Sequence, residues 1–455
     1  MEALSERPGP ARAGSAELVA GWGRFPVRPG RVLRPDRLGV PEGPGCILPR
    51  GLGRSYGDAA VPAAPEDLVI DTRRADRILA FDPAAGRLTV EAGLSLAEVV
   101  RLFLPRGWFP PVTPGTRFVT IGGCVAADVH GKNHHRDGSF GQFVDALTLI
   151  TADGRTVAAG PERERDLFRA TVGGMGLTGL IADVTFRLRP VETPWILEET
   201  EGVGGLVEML AGLRGAAADW PYTVGWIDGL AGAGALGRGV LIRGRHATRA
   251  EAGERRLRTP PALRVPLDAP AWLLTPALMR AFNGLYHRYR GGRRRQGLVS
   301  HEMFFYPLDA VRDWNRLYGR RGFLQYQCVI PRTAGERPVA EILRRLAAAG
   351  AASLLAVIKD CGPEAPFLLS FPMEGVTLAL DLPYRGPGTE ALVHELNRVV
   401  IEAGGRVYLA KDAVTRAADM QRMTPRLGEW QRVRDRWDPK RRFRSAQSVR
   451  LLGDP

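Results

Sequence analysis

Residues 114–141 read PGTRFVTIGGCVAADVHGKNHHRDGSFG and hold three of the seven histidines in the chain. A Gly-Gly pair and the small residues Cys124 to Ala127 come first, and Lys132 and Asn133 lie among the histidines. Glycines and small side chains let backbone approach a ligand closely and present its N–H groups. Imidazole, ammonium and amide groups then stand beside that backbone. A buried glycine turn followed by a solvated polar loop would share this composition.

Two further glycine loops point the same way. RGLGRSYGD, residues 50–58, follows the apolar run Cys46 to Leu48, and TVGGMGLTGLI spans residues 171–181. Neither carries the Gly-Lys-Ser/Thr of a P-loop. The third loop contains G-x-G-x-x-G at Gly174, Gly176 and Gly179. A helical pattern precedes it and a strand pattern follows, the reverse of dinucleotide-binding order. Three such loops imply one long, phosphate-bearing cofactor held by backbone amides from several places.

In this order the loops resemble the FAD-binding domain of the vanillyl-alcohol oxidase superfamily. The middle one, with HGKNHH and GSFG, is similar to the flavin oxidase subunits of decaprenylphosphoryl-β-D-ribose 2′-epimerases. FFYPLD at 304–309, WNRLYG at 314–319, GFLQYQCVIP at 322–331, LSFP at 369–372 and AKD at 410–412 extend the resemblance along most of the chain. It implies an α+β, two-domain PCMH-type FAD-binding fold with an antiparallel-sheet substrate domain. It implies FAD contacts from Gly51, Leu52, Gly53, Arg54, Ser55, Tyr56, Gly57 and Asp58. Further contacts would come from Gly115, Thr120, Ile121, Gly122, Gly123, Ala127, Asp128, Val129 and His130, and from Ile181 and Tyr408.

The same resemblance makes Lys411 and His130 the catalytic groups, and Lys132, Tyr306, Gln325, Gln327, Lys359 and Lys411 the substrate pocket. Oxidising a secondary alcohol removes a hydroxyl proton while hydride moves to the flavin. A base with a pKa near working pH assists, and desolvation lowers a lysine toward that range. Gln325 and Gln327 are two residues apart in a strand-like run, so both face one side. An amide donates and accepts, which suits ribose hydroxyls, while lysines suit a phosphate.

Arg54 differs from other branches of the superfamily as the epimerase subfamily does, whereas Ala379 and Thr377 depart from the epimerase pattern itself. Arg54 stands where sugar-lactone and alditol oxidases commonly carry the histidine that bonds covalently to flavin, so FAD should be non-covalent and dissociable. Ala379 takes the place of the cysteine attacked by covalent inhibitors, and Thr377 that of a usual asparagine. The implied reaction is oxidation of the 2′-hydroxyl of a polyprenyl-phosphoryl ribose to the 2′-keto sugar. An NAD(P)H-dependent short-chain reductase would be the functional partner. An oxidase of another sugar (an aldonolactone, nucleoside or sugar phosphate) is the alternative. A scaffold that binds an anionic partner without turnover is a third reading.

These residues need elements to position them. At 455 residues the chain is too long for one hydrophobic core. Residues 1–190 are read as the FAD-binding domain, 191–405 as the substrate domain, and 406–455 as a segment returning to the first. DLVIDT, LTVEAG, ALTLITADG and IADVTFRLRP read as strands of the first domain, and LSLAEVVRLFLPRG as a helix capped by Ser95 and ended at Gly107. YTVGWIDG, GVLIRGRH, FLQYQCVIP and VTLALDLPY are strands of the second. ERPVAEILRRLAAAG and GTEALVHELNRVVIEAG are its helices, packed on one face. Residues 259–297, rich in Pro, Trp and Arg, read as a long interrupting loop.

The composition is 45% hydrophobic and 25% charged, as in soluble globular proteins. The net charge of +14 gathers in HRYRGGRRR, residues 287–295, and RVRDRWDPKRRFR, residues 432–444. Without zinc-finger spacing or an aromatic-basic motif, nucleic acid is not expected as a partner. Peripheral contact with a membrane surface remains open. Cys46, Cys124, Cys328 and Cys361 are scattered, so no metal site is expected. Without a leader-like or spanning apolar run, a cytoplasmic location follows.

Overall fold

A computed structural model of the chain describes residues 14–257, 262–270, 274–292, 294–351 and 355–455. Alternation of buried and exposed side chains builds three larger sheets. In the first, Val27–Leu33, Leu68–Asp71 and Ile47–Arg50 run parallel, with Ser15–Ala20 antiparallel at one edge. The second has five antiparallel strands in the order Ile78–Asp82, Arg87–Glu91, Leu180–Arg187, Val144–Ile150 and Thr156–Ala159. Leu88, Val90, Leu147, Leu149, Val184 and Phe186 are buried with apolar residues of helices Leu96–Phe103, Ile121–Ala126 and Arg165–Thr171. Helix Leu96–Phe103 starts where Ser95 Oγ accepts from Glu98 N–H at 3.1 Å. The turn after it closes at Gly107 with φ +81°, a conformation that suits glycine.

The third sheet has eight antiparallel strands. Their order is Arg295–Ser300, Trp195–Val203, Gly239–His246, Tyr222–Ile227, Ala356–Cys361, Gly375–Pro383, Phe323–Pro331 and Arg406–Val407. Period-two alternation along Phe323–Pro331 sends Leu324, Tyr326, Cys328 and Ile330 into a core shared with helices Leu206–Ala216, Arg337–Ala348 and Pro387–Glu402. Gln325 and Gln327 face the opposite side. Helix Arg337–Ala348 contributes Val339, Ile342, Leu343 and Leu346 at three-to-four spacing, which fixes its buried face. The architecture is mixed α+β, dominated by a large antiparallel sheet.

Two expectations need correction. Residues 259–297 are not a plain loop, because they contain helix Pro276–Arg290 and run into the edge strand Arg295–Ser300. Arg293 of the basic cluster lies outside the described residues. Arg290 and Arg294 are spent in ion pairs with Glu198 and Glu199, at 2.9 and 2.8 Å. The return of the chain also begins later than residue 405, since Arg406–Val407 still pairs with Phe323–Pro331.

Beyond it, Phe443 bridges Ile47 in parallel, and Ala446 N–H donates to Val61 O at 2.8 Å. A crossing that the sequence did not suggest occurs earlier. Ala365 and Phe367 enter the core of the second sheet, while Leu368 and Leu369 pack with Leu427 and Trp430.

Candidate active site

The glycine loops and the open face of the eight-stranded sheet enclose a cavity of about 1470 Å3. That exceeds the ~300–1,000 Å3 of a usual ligand pocket and has room for a long ligand and a second molecule. Gly51, Leu52, Gly53, Arg54, Ser55 and Tyr56 line it from the first loop. Gly115, Thr120, Gly122, Gly123, Ala127, Val129 and His130 line it from the second, with Ile181 and Tyr408 beside them. Lys132, Gln325, Gln327, Lys359, Lys411 and Ala379 complete the wall.

Five expected contacts stand behind that wall instead. Asp58 is held by Arg450, which also grips Asp412, each at 2.8 Å. Gly57 allows close backbone approach, since a Cβ there would lie 1.7 Å from Asp412 O. Ile121 is fully buried and donates its N–H to Leu94 O at 2.8 Å. Asp128, also fully buried, accepts from Gly141 N–H at 2.9 Å and from Ser370 Oγ. Tyr306, expected in the substrate pocket, turns its hydroxyl to Thr113 Oγ1 at 2.6 Å and is buried away from the cavity. These residues fold the loops rather than line the space.

The sheet positions the polar wall by register. Gln325 pairs with Asp381 and Gln327 with Ala379 across neighbouring strands. On the third strand Lys359 pairs with Thr377. Gln325 Nε2 donates to Asp381 at 2.6 Å, and Tyr318 OH donates to the same carboxylate at 3.0 Å. Gln327 Nε2 donates to His130 Nε2 at 2.9 Å and to Thr377 Oγ1 at 3.3 Å. With Nε2 accepting, the neutral imidazole carries its proton on Nδ1, and that buried atom has no hydrogen-bond partner among the described residues. His130 also meets the rings of Tyr408 and Phe371, at centroid distances of 5.2 and 5.3 Å.

Burial sets the charges. It pushes Lys411 down to about 7, opposed by the Asp381 charge and aided by Lys359. Lys132 is likewise lowered to about 7 by burial and then by Lys359. Its Nζ donates to Phe304 O at 2.7 Å. Lys359 itself is lowered by burial. Burial, with Lys359 next, holds His130 well below the usual histidine range, so it is neutral. Asp381 is raised to about 7 by burial, against the pull of its two hydrogen bonds. Sequence reasoning missed Asp381. Its signal was present, because it lies two residues beyond Ala379 and so on the same face of the strand. Among the described residues, no group of three or more His, Cys, Asp or Glu could hold a metal ion.

Residues 44–160 match the FAD binding domain family, and residues 377–451 match the D-arabinono-1,4-lactone oxidase family. The chain is 37% identical to the decaprenylphosphoryl-β-D-ribose oxidase of Mycolicibacterium smegmatis, over 96% of this chain and 98% of that protein. An uncharacterized protein of Streptomyces coelicolor is 38% identical over 79% of this chain and its own full length. A Delta(24)-sterol reductase of Homo sapiens is 28% identical, over 30% of this chain and 26% of its own.

The chain belongs to the decaprenylphosphoryl-β-D-ribose oxidase family of FAD-dependent, PCMH-type oxidases. For a member of this family the cavity must accept FAD, and its backbone does. A Cβ at Gly115 would meet no atom within 4 Å, and one at Gly176 only Pro49 Cγ at 4.0 Å. Bare backbone therefore faces open space there. The unpartnered Nδ1 of His130 adds a donor. No helix among the described residues is long and apolar enough to cross a membrane.

Proposed function

We propose that the protein oxidises the 2′-hydroxyl of a polyprenyl-phosphoryl ribose to the 2′-keto sugar, with non-covalent FAD. Bound FAD would accept the hydride from C2′. The glycine loops would hold its pyrophosphate through the backbone of Gly51, Gly53, Gly122 and Gly123 and the hydroxyls of Ser55 and Thr120. Neutral Lys411 would take or orient the hydroxyl proton at Nζ. Gln325 and Gln327 would fix the ribose hydroxyls, and the His130 ring would be held in one tautomer by Gln327. Lys132 and Lys359 would meet the phosphate, since each ammonium presents three donors.

One observation carries this reading: three lysines and two glutamines of one strand converge on the wall of a single cavity that the glycine loops also line. The similarity to an enzyme named for decaprenylphosphoryl-ribose supports the same substrate class. A short-chain NAD(P)H-dependent reductase would return the keto product to an alcohol of opposite configuration. A lactone or another free sugar is the second reading, favoured by the match of residues 377–451 to D-arabinono-1,4-lactone oxidase. Anaerobic mixing separates them. A short-chain polyprenyl-phosphoryl ribose should bleach the flavin, while an aldonolactone should not. Bleaching by the lactone alone would overturn the assignment.

A further inference from the structure

We propose that helix Pro276–Arg290 docks the cavity mouth onto an anionic lipid bilayer. The proposal rests on the lipid-linked substrate reading above and names the surface at which that substrate is met. Along this helix Leu278, Phe282, Leu285 and Tyr289 are 41%, 44%, 68% and 70% exposed. Their spacing of four, three and four residues makes one continuous apolar stripe.

The neighbouring stripe faces the protein and is partly polar. Met279 and Asn283 are buried, Asn283 donates to Asp228 at 2.8 Å, and Arg290 pairs with Glu198 at 2.9 Å. The usual arrangement is thus inverted, with apolar side chains left outside. Single exposed apolar residues are ordinary, but an aligned set marks an interaction surface.

Charge and continuity identify the occupant. The helix contains no acidic residue. Arg256, Arg288 and Arg312 make no ion pair among the described residues; Arg288 sits beside the stripe on the helix, and Arg256 and Arg312 line the cavity. An apolar stripe flanked by arginines complements an anionic headgroup layer over acyl chains, with tyrosine at the boundary. Phe282 and Tyr289 belong both to the stripe and to the cavity lining. Met303, 54% exposed, lines the same mouth. A protein partner seated here would cover that mouth. A bilayer would instead supply the lipid tail of a substrate whose sugar enters the cavity.

Leu278 and Leu285 do not line the cavity, so their replacement separates docking from chemistry. Holoenzyme is sedimented with phosphatidylglycerol–phosphatidylcholine vesicles and with phosphatidylcholine vesicles alone. Wild type should pellet with the anionic vesicles and remain largely in solution with the zwitterionic ones. The Leu278→Ser/Leu285→Ser variant should bind at least about tenfold more weakly, the scale for withdrawing two leucines from an interface. Its flavin should be bleached at the wild-type rate by a short, water-soluble substrate analogue, which also shows that it is folded. Wild type that stays in solution, or a variant that pellets equally, overturns the proposal. A wild-type dimer in gel filtration that the variant abolishes, with no vesicle binding, assigns the stripe to a second copy and overturns it too. Failure of the substrate reading appears separately, as flavin that no polyprenyl-phosphoryl ribose bleaches.

Discussion

Lys411 Nζ lies 3.7 Å from the centroid of the Tyr56 ring. This contact joins the AKD segment to the first glycine loop, and Tyr56 N–H reinforces it by donating to Ala410 O at 2.9 Å. The Lys411 amino group therefore stands at the boundary between the proposed cofactor cradle and the sugar pocket. Lys411→Met keeps a similar length and should retain FAD. Flavin reduction in anaerobic rapid mixing should slow by ~10²-fold or more, the scale of losing a general base. Reduction near the wild-type rate would move the role to His130 or Tyr408.

The pH dependence follows from the same neighbourhood. A base must be neutral, so with Lys411 lowered to about 7 the rate should rise with pH through about 7 and level off above it. The Asp381 charge favours the protonated lysine. Asp381→Asn removes that charge and should shift the rising limb to lower pH by about one unit. The two groups titrate together, so the limb reports the pair. A limb that stays in place in Asp381→Asn would detach the carboxylate from the proton transfer.

How much of this was readable from residues depends on which periodicity they obey. The alternation in FLQYQCVIP placed Gln325 and Gln327 on one face, and the strand is found at Phe323–Pro331. The cap at Ser95 and the stop at Gly107 were equally local. Helix Pro276–Arg290 was not legible because its inward stripe carries Asn283 and Arg290, whose partners Asp228 and Glu198 are distant in sequence. Tyr306 misled for the same reason, since only the folded chain shows that Thr113 takes its hydroxyl. Local signals gave the elements, while long-range polar pairing decided which side chains reach the cavity.

The proposal of a non-covalent flavin rests on Arg54. This residue lines the cavity, lies 4.2 Å from the centroid of the Trp22 ring, and donates to Leu52 O at 2.7 Å. A guanidinium cannot form the histidyl–flavin bond, so acid or heat should release all the yellow colour into the supernatant. Colour retained by the precipitated polypeptide would contradict this and point to His130, His134 or His135.

Ala379 faces the cavity opposite Gln327. Nitroaromatic inhibitors activated by reduced flavin should form no covalent adduct there, and Ala379→Cys should create one. Intact-mass and peptide spectrometry after turnover checks both. A wild-type adduct mapped by fragmentation to residues 375–383, which hold no thiol, would contradict this. Flavin reduction should persist in the wild type, because a methyl group moves no proton.

The last prediction concerns the C-terminal segment. Arg434 and Asp454 form a doubly hydrogen-bonded pair at 2.9 and 2.6 Å, with side chains 1% and 3% exposed. Arg434 also donates to Phe443 O at 2.7 Å and to Leu177 O, in the third glycine loop, at 3.2 Å. One guanidinium thus ties the chain end to a loop of the proposed cofactor cradle. Asp454→Ala leaves a buried cation without its counter-charge, which costs roughly 3–5 kcal/mol. Apoprotein unfolding in urea should show that loss, and FAD affinity should fall with it because Leu177 loses a fixed neighbour. Arg434→Met/Asp454→Leu removes both charges and should recover much of the stability, since paired apolar replacements avoid the stranded ion. It should recover less of the FAD affinity, because Met at 434 cannot donate to Leu177 O. Equal recovery of both would separate this ion pair from the cofactor loop.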